Sequence, residues 1–297
     1  MSTSLVKDLV EAGIHFGQRA SNWNPKMSPY IYAKRNSIHI IDIRETVKGI
    51  LLAKKFIART VADGKDVCFV GTKRQAKDVL EQRVKDAGMH IVTERWLGGT
   101  LTNFRTIRMR LKRLIELESI EQTDNFQSYS KKMESQLRRE MRKIQRNLDG
   151  IRNMDKLPGC LVVIDSSREQ NALLEARKLG IPTICLIDTD GDPDLVDIPI
   201  PGNDDSMRSI DVVIRELCSA IIDGKQQRVA RTGEREESAT TASSTAQRPA
   251  GTSSRRSRRS QFKADDSDQP VAAEAEATGQ PEIGVGAAEA TQAPAQS

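Results

Sequence analysis

No stretch of this 297-residue chain combines the length and apolarity of a membrane-crossing helix, which takes roughly 18 or more consecutive apolar residues. The opening MSTSLVKDLVEAG also lacks the apolar centre of a secretory signal, so the expectation is a soluble, cytoplasmic protein with no membrane partner. Cysteine is sparse. Cys68, Cys160, Cys185 and Cys218 form no C-x-x-C pair, which excludes a zinc knuckle or a disulfide frame, and the first three sit in apolar, strand-like runs as reduced, buried thiols. His15, His39 and His90 lie far apart and outside any nucleophile or metal motif. Glycine is missing where a nucleotide enzyme needs it. The strand-turn-helix VCFVGTKRQAKDVL (67–80) offers Gly71 alone, whereas a phosphate loop or a dinucleotide fingerprint requires several spaced glycines. These absences predict no enzyme, no cofactor and no small-molecule substrate.

One acidic loop invites a metal reading. IDTDGDPDLVD (187–197) carries Asp188, Asp190, Asp192 and Asp194, but counted from Asp188 Gly191 falls fourth, Pro193 sixth and Pro199 where a calcium loop needs its bidentate Glu. Asx turns after a strand explain these residues at least as well, so no metal ligand is assigned.

The present features are charge and alternation. Residues 1–113 hold 22 basic and 10 acidic side chains (+12), residues 114–160 hold 9 and 8 (+1), and residues 161–224 hold 5 and 13 (−8). The remainder, 225–297, balances ten against ten, so the net +5 belongs to the first 224 residues. A positive end of this size attracts polyanions; the alternative is a mosaic that folding mixes. From 226 to 297 large apolar residues are almost absent, and the expectation is a disordered low-complexity tail.

Short apolar runs at 38–43, 67–70, 90–92, 161–164, 183–187 and 196–200 alternate with amphipathic segments at 46–62, 73–87, 169–179 and 205–222. That alternation predicts an α/β fold with a doubly wound parallel sheet, over residues 1–100 and 152–225. Gly64, Gly88, Gly180 and Gly224 are the expected helix ends. Between 101 and 151 the strand signal stops. Phe104, Ile107, Leu111 and Leu114, then Met133, Leu137, Met141, Ile144, Leu148 and Ile151, recur at three and four. Two antiparallel helices joined at Thr123-Asp124-Asn125 follow, as a coiled-coil hairpin that either projects from the sheet or packs across it.

Binding chemistry collects in three places. Thr72 and Gln75 suggest a capping box that puts Lys73 and Arg74 in a first helical turn; there they are phosphate contacts or plain surface cations. In HFGQRASNWNPKMSPYIYAKRN, Arg19, Lys26, Lys34 and Arg35 are interleaved with Trp23 and other aromatics. RWLGGTLTNFRTIR and the residues after it repeat the mixture with Arg95, Trp96, Arg105, Arg108 and Arg110. Cations meet phosphates, and an aromatic face either stacks on an unpaired base or anchors its own loop. The expectation is RNA binding through these twelve residues. A nucleotide-dependent enzyme using the Gly71 turn, or an adaptor recruiting protein through the hairpin, are the competing readings.

Taken in order, AGIHFG (12–17), WNPKM (23–27), FVGTKR (69–74), RWLGGTLTNF (95–104), LPGCLVVID with REQNALLEARKLGIP (157–182) and IPGNDD (200–205) resemble the bacterial small-subunit ribosomal protein two family. The resemblance implies a flavodoxin-like sheet with an inserted coiled-coil hairpin and a ribosome-bound position between head and body of the small subunit. Its implied partners are 16S ribosomal RNA and neighbouring ribosomal proteins, including the large OB-fold ribosomal protein that captures messenger RNA. Two departures stand out: Gln18 occupies a position where relatives often carry His, which argues against a metal or stacking role there, and the tail after Lys225 exceeds the common bacterial length.

Overall fold

The computed structural model describes the backbone of residues 2–122 and 130–245, and the side chains of 5–122 and 130–231. In chain order its elements are α1 (Ser2–Ala12), β1 (Phe16–Arg19), β2 (Ile31–Arg35), β3 (Ile38–Ile41), α2 (Ile43–Ala62), β4 (Val67–Val70), α3 (Arg74–Asp86), β5 (His90–Val92), α4 (Phe104–Gln122), α5 (Lys131–Leu148), β6 (Cys160–Ile164), α6 (Gln170–Leu179), β7 (Thr183–Ile187), β8 (Ile198–Pro201) and α7 (Met207–Thr245). None of the described helices is long and apolar enough to cross a membrane.

Strands β4 to β8 form one parallel sheet in the order β5-β4-β6-β7-β8. Every residue of β4, β5, β6 and β7 is buried, as expected when helices cover both faces of a parallel sheet. The pleat sends alternate side chains opposite ways. Val67 and Phe69 join Ile50 and Ile57 of α2, Leu80 of α3 and Leu217 of α7 in one core. Cys68 and Val70 join Leu173 and Ala176 of α6 in the other, which runs on into Leu114, Leu117, Met141 and Leu148 of the α4–α5 pair. The four cysteines are buried and free, and burial pushes the Cys68 and Cys160 thiols up to about 12, which keeps them unreactive.

Several expectations need correction. The run at 38–43 does not join the parallel sheet. It supplies β3, the centre of a separate antiparallel sheet ordered β1-β3-β2. Its partners were illegible because FGQR and IYAKR are only four and five residues long and neither contains a continuous apolar run of strand length. The β2–β3 turn is Asn36-Ser37 with φ of 48° and 61°, the geometry that two-residue hairpins prefer, built here without glycine.

Gly64, Gly88 and Gly180 do end helices with positive φ, but Gly224 does not. Helix α7 continues to Thr245 because Lys225-Gln226-Gln227-Arg228 are good helix formers. Gly224 instead lets α7 approach α2: a Cβ there would lie 2.7 Å from the Ala58 carbonyl oxygen. Residues 226–245, expected to be disordered, are therefore helical, although Val229 at 72% exposure buries little. The rest of the expected tail, 246–297, lies outside the described residues, as does the expected turn at 123–125. In the helix pair the seam residues Ile107, Leu111, Leu137, Met141, Ile144 and Leu148 are buried, while Met133 is 46% exposed.

Candidate nucleic-acid interface

Open α/β sheets hold their ligands beyond the carboxyl ends of the strands, where the strand order reverses. Here that point lies between β4 and β6, and a cluster of the chain's own charges fills it. Lys73, just after β4, places its ammonium 2.8 Å from Asp204, 2.6 Å from Asp205 and 3.6 Å from Asp165, with only 13% of its side chain exposed. Burial opposes that charge, but the hydrogen bonds to Asp204 and Asp205 outweigh it and hold the ammonium well above the ordinary lysine range. Thr72 donates both its backbone N–H (3.1 Å) and its hydroxyl to Glu169, so it caps no helix and the expected capping box is absent. Lys73 is thus corrected from an outward phosphate contact to an internal counter-ion. A phosphate entering this crevice would face Asp165, Asp204 and Asp205, which argues against a nucleotide at the Gly71 turn.

The acidic loop divides. Asp192 and Asp194 face Lys26 at 2.8 and 2.7 Å, while Asp188 turns inward toward Asp204 and Asp205, all three carboxylates lying within 4.8 Å of one another. Gln18 donates its side-chain amide to Asp205 (2.6 Å) and its backbone N–H to Asp188 (3.2 Å). The four aspartates named in the sequence therefore do not converge on one point. Burial pushes Asp188 up to about 7, with Asp190 and Asp205 adding to it, and Asp204 up to about 8, reinforced by Asp165 and opposed by Lys73. Unfolded carboxyls titrate near 4, so the folded chain binds more protons between about 4 and 8 and its stability falls as pH rises through that window. Urea unfolding is expected to show lower stability at pH near 9 than near 6, with a shallower decline in Asp188→Asn. A rise over the interval would contradict the assignment.

The loop RWLGGTLTNF is a second internal fastening. Trp96 is 7% exposed and its indole N–H donates to Glu175 of α6 at 3.0 Å. The same carboxylate accepts the backbone N–H of Gly99 (2.8 Å), Leu101 (3.0 Å) and Thr102 (3.1 Å), and the Thr102 hydroxyl (3.2 Å). Gly99 has φ +87°, a conformation that L side chains rarely adopt, in the turn that brings the N–H groups of Gly99, Leu101 and Thr102 to one acceptor. Burial raises the Glu175 pKa, but these donors outweigh it and hold the carboxyl below its ordinary value. Trp96 is corrected accordingly: its ring anchors the loop and is not free to stack on a base. Trp23 remains 37% exposed, with its ring 5.1 Å from that of His39.

Folding also pairs several of the N-terminal cations with the acidic 161–224 stretch. Lys26 meets Asp192 and Asp194, Lys54 meets Glu216, and Arg83 meets Asp211. The polarity along the sequence is therefore partly neutralised in space. Among the expected RNA contacts, Arg108 pairs with Asp155 at 2.9 Å and Arg110 approaches Glu140 at 3.9 Å. Arg19, Lys34, Arg35, Arg74, Arg95 and Arg105 are exposed and form no ion pair among the described residues. Arg19 and Arg35 both lie opposite Ile38 in the antiparallel sheet, one from each flanking strand, so they share a face. Lys34 lies opposite His39, on the Trp23 side.

Sequence reasoning overlooked a further cationic surface. Arg139, Arg142, Lys143 and Arg146 on α5 line one groove with Glu94 and Arg95. Their helical spacing was readable, but in a segment with carboxylates on both flanks it passed for an ordinary solvated face. Comparison with known proteins adds a relation by descent. The family model for ribosomal protein S2 matches residues 9–224, which takes in every strand. A curated relative, the small ribosomal subunit protein uS2 of Rhodopirellula baltica, is 55% identical over 227 residues, covering 76% of this chain and 87% of the relative. On both grounds the chain belongs to the ribosomal protein S2 family, structural and non-enzymatic components of the ribosome.

Proposed function

We propose that this chain docks on 16S ribosomal RNA as a structural constituent of the bacterial small subunit, in the cytoplasm. The observation that carries the reading is that six of the expected contacts, Arg19, Lys34, Arg35, Arg74, Arg95 and Arg105, are exposed cations with no carboxylate partner among the described residues. Cations already paired inside the molecule gain little from a phosphate, whereas unpaired ones release bound counter-ions when they meet it. Lys26, Arg108 and Arg110 exchange one anion for another in this scheme, and Trp23 offers the one aromatic face of the set. The strand order, renumbered 2-1-3-4-5 from β4, supports a flavodoxin-like description of 1–100 and 152–225. The buried seam between α4 and α5 supports an inserted coiled-coil hairpin over 101–151. Neighbouring ribosomal proteins, the large OB-fold protein among them, complete the assembly in this reading.

Filter binding of the full chain to 16S ribosomal RNA tests it. Replacing Arg19, Arg35, Arg74 and Arg105 together with Glu is expected to weaken binding by about 100-fold or more near 0.1 M salt and to flatten the salt dependence by about four contacts. The unfolding midpoint should stay unchanged, since none of the four holds the fold. Undiminished binding by this variant would refute the placement of the RNA face.

A further inference from the structure

We infer that the groove between the β5–α4 loop and α5 grips the phosphodiester backbone of double-helical RNA; this rests on the RNA-docking reading above and names a site and a substrate class for it. The groove is lined by Glu94, Arg95, Arg139, Arg142, Lys143 and Arg146, five cations to one carboxylate. That carboxylate is already committed. Glu94 accepts from Lys77 of α3 and from Arg146 at 2.7 Å through Nε and 2.6 Å through Nη2. The hydrogen bonds of Lys77 and Arg146 hold Glu94 below the usual carboxylate range, so it stays an anion that fixes α5 against the end of β5. It has little left to neutralise the other four.

Those four are free to act. Arg95, Arg139 and Lys143 have no ion-pair partner among the described residues, and Arg142 donates only to the Arg138 carbonyl oxygen at 3.2 Å. All four are exposed. Positions 139, 142, 143 and 146 share one helical face, and at 1.5 Å per residue they cover about 10 Å along α5. The row is therefore long enough for more than one phosphate, and the Glu94–Arg146 pair fixes its near end.

The chemistry of the lining selects duplex over single strand. Proteins that hold single strands stack bases on aromatic rings, and this groove has none: Trp96, next to Arg95, is turned inward and bound to Glu175. What remains reads backbone charge and shape, which is how double-helical RNA is recognised.

The test uses the full chain with Arg139→Gln, Arg142→Gln and Lys143→Gln combined, because Gln keeps the helix and removes only charge. Binding is measured against salt for a short RNA duplex, a single strand of equal length and a poly-glutamate peptide of equal charge. The expected result is tighter binding of the duplex by the unmodified chain, and a salt slope shallower by about three in the variant. A parallel variant with Arg19→Gln, Lys34→Gln and Arg35→Gln separates the two levels of the reading. If that variant loses duplex binding while the groove variant keeps its full slope, the RNA-docking reading stands and the groove assignment falls. If poly-glutamate binds as tightly as duplex and suffers the same loss, the groove is a site for acidic protein and the inference is overturned. If the unmodified chain binds no duplex at all, both fall.

Discussion

Lys73→Met is expected to destabilise the fold by about 3–5 kcal/mol near pH 8, out of the roughly 5–15 kcal/mol that a domain usually has. Methionine keeps most of the length of an unbranched side chain while removing the charge. Asp165, Asp204 and Asp205 are then left around a cation that no longer exists, in a site where Asp204 has only 3% of its side chain exposed. Burying unpaired carboxylates costs more than the pair itself was worth. The same argument fixes the pH dependence. With Lys73 gone Asp204, already pushed up to about 8, holds its proton to still higher pH in the folded state, so the deficit should shrink near pH 5.5, where it folds protonated, and grow toward pH 8.5. Urea denaturation at both values checks this. A variant within about 1 kcal/mol of the unmodified chain at the higher pH would mean that Lys73 is a surface cation after all.

Glu175→Ala should rival it. The truncation removes one acceptor from five donors: the Trp96 indole, the backbone amides of Gly99, Leu101 and Thr102, and the Thr102 hydroxyl. Each buried donor left unpaired costs about 1–3 kcal/mol, moderated by water entering the space vacated, so a loss of about 3–5 kcal/mol is expected. Glu175→Gln is the more informative substitution. It fills the same volume but turns an amide N–H₂ toward some of those donors, so it should recover at most about half of the loss. Amide hydrogen exchange at Gly99, Leu101 and Thr102 should accelerate in both variants before global unfolding. Unchanged protection there would show that the loop is held by its apolar contacts and not by the carboxylate.

These two fastenings show why the fold was more legible than the site. Apolar runs such as VCFV and CLVVI state their burial locally, and Gly64, Gly88 and Gly180 state their helix ends within a few residues. Lys73 and Asp204 are 131 positions apart, and Glu175 is 73 to 79 positions from the donors it collects. Nothing in a local window announces such partners. One signal was present for Glu175: it falls beside Ala172 and Ala176 on the buried face of α6, and a carboxylate on an apolar stripe must find donors. The bias of charge along the sequence was real but misleading, because folding brings Lys26, Lys73 and Arg83 onto acidic residues of the 161–224 stretch. Exposure and lack of a partner, which only the fold reveals, sort the remaining cations into those that hold the protein together and those that are left for a polyanion.

The stretch RWLGGTLTNFR (95–105) therefore has two functions divided between neighbours. Trp96, Gly99, Leu101 and Thr102 lock onto α6, while Arg95 and Arg105 on either side stay exposed, with no ion-pair partner among the described residues. The locked loop gives the exposed arginines a fixed base, which charged side chains on a free loop would lack.

Sedimentation of ribosomal subunits from cells making the tagged chain tests this division most directly. The unmodified chain should travel with the small subunit, and the variant carrying Glu at positions 19, 35, 74 and 105 should remain at the top of the gradient although it is folded. Co-migration of that variant with the small subunit at the unmodified level, or an unmodified chain that never leaves the top, would contradict the account.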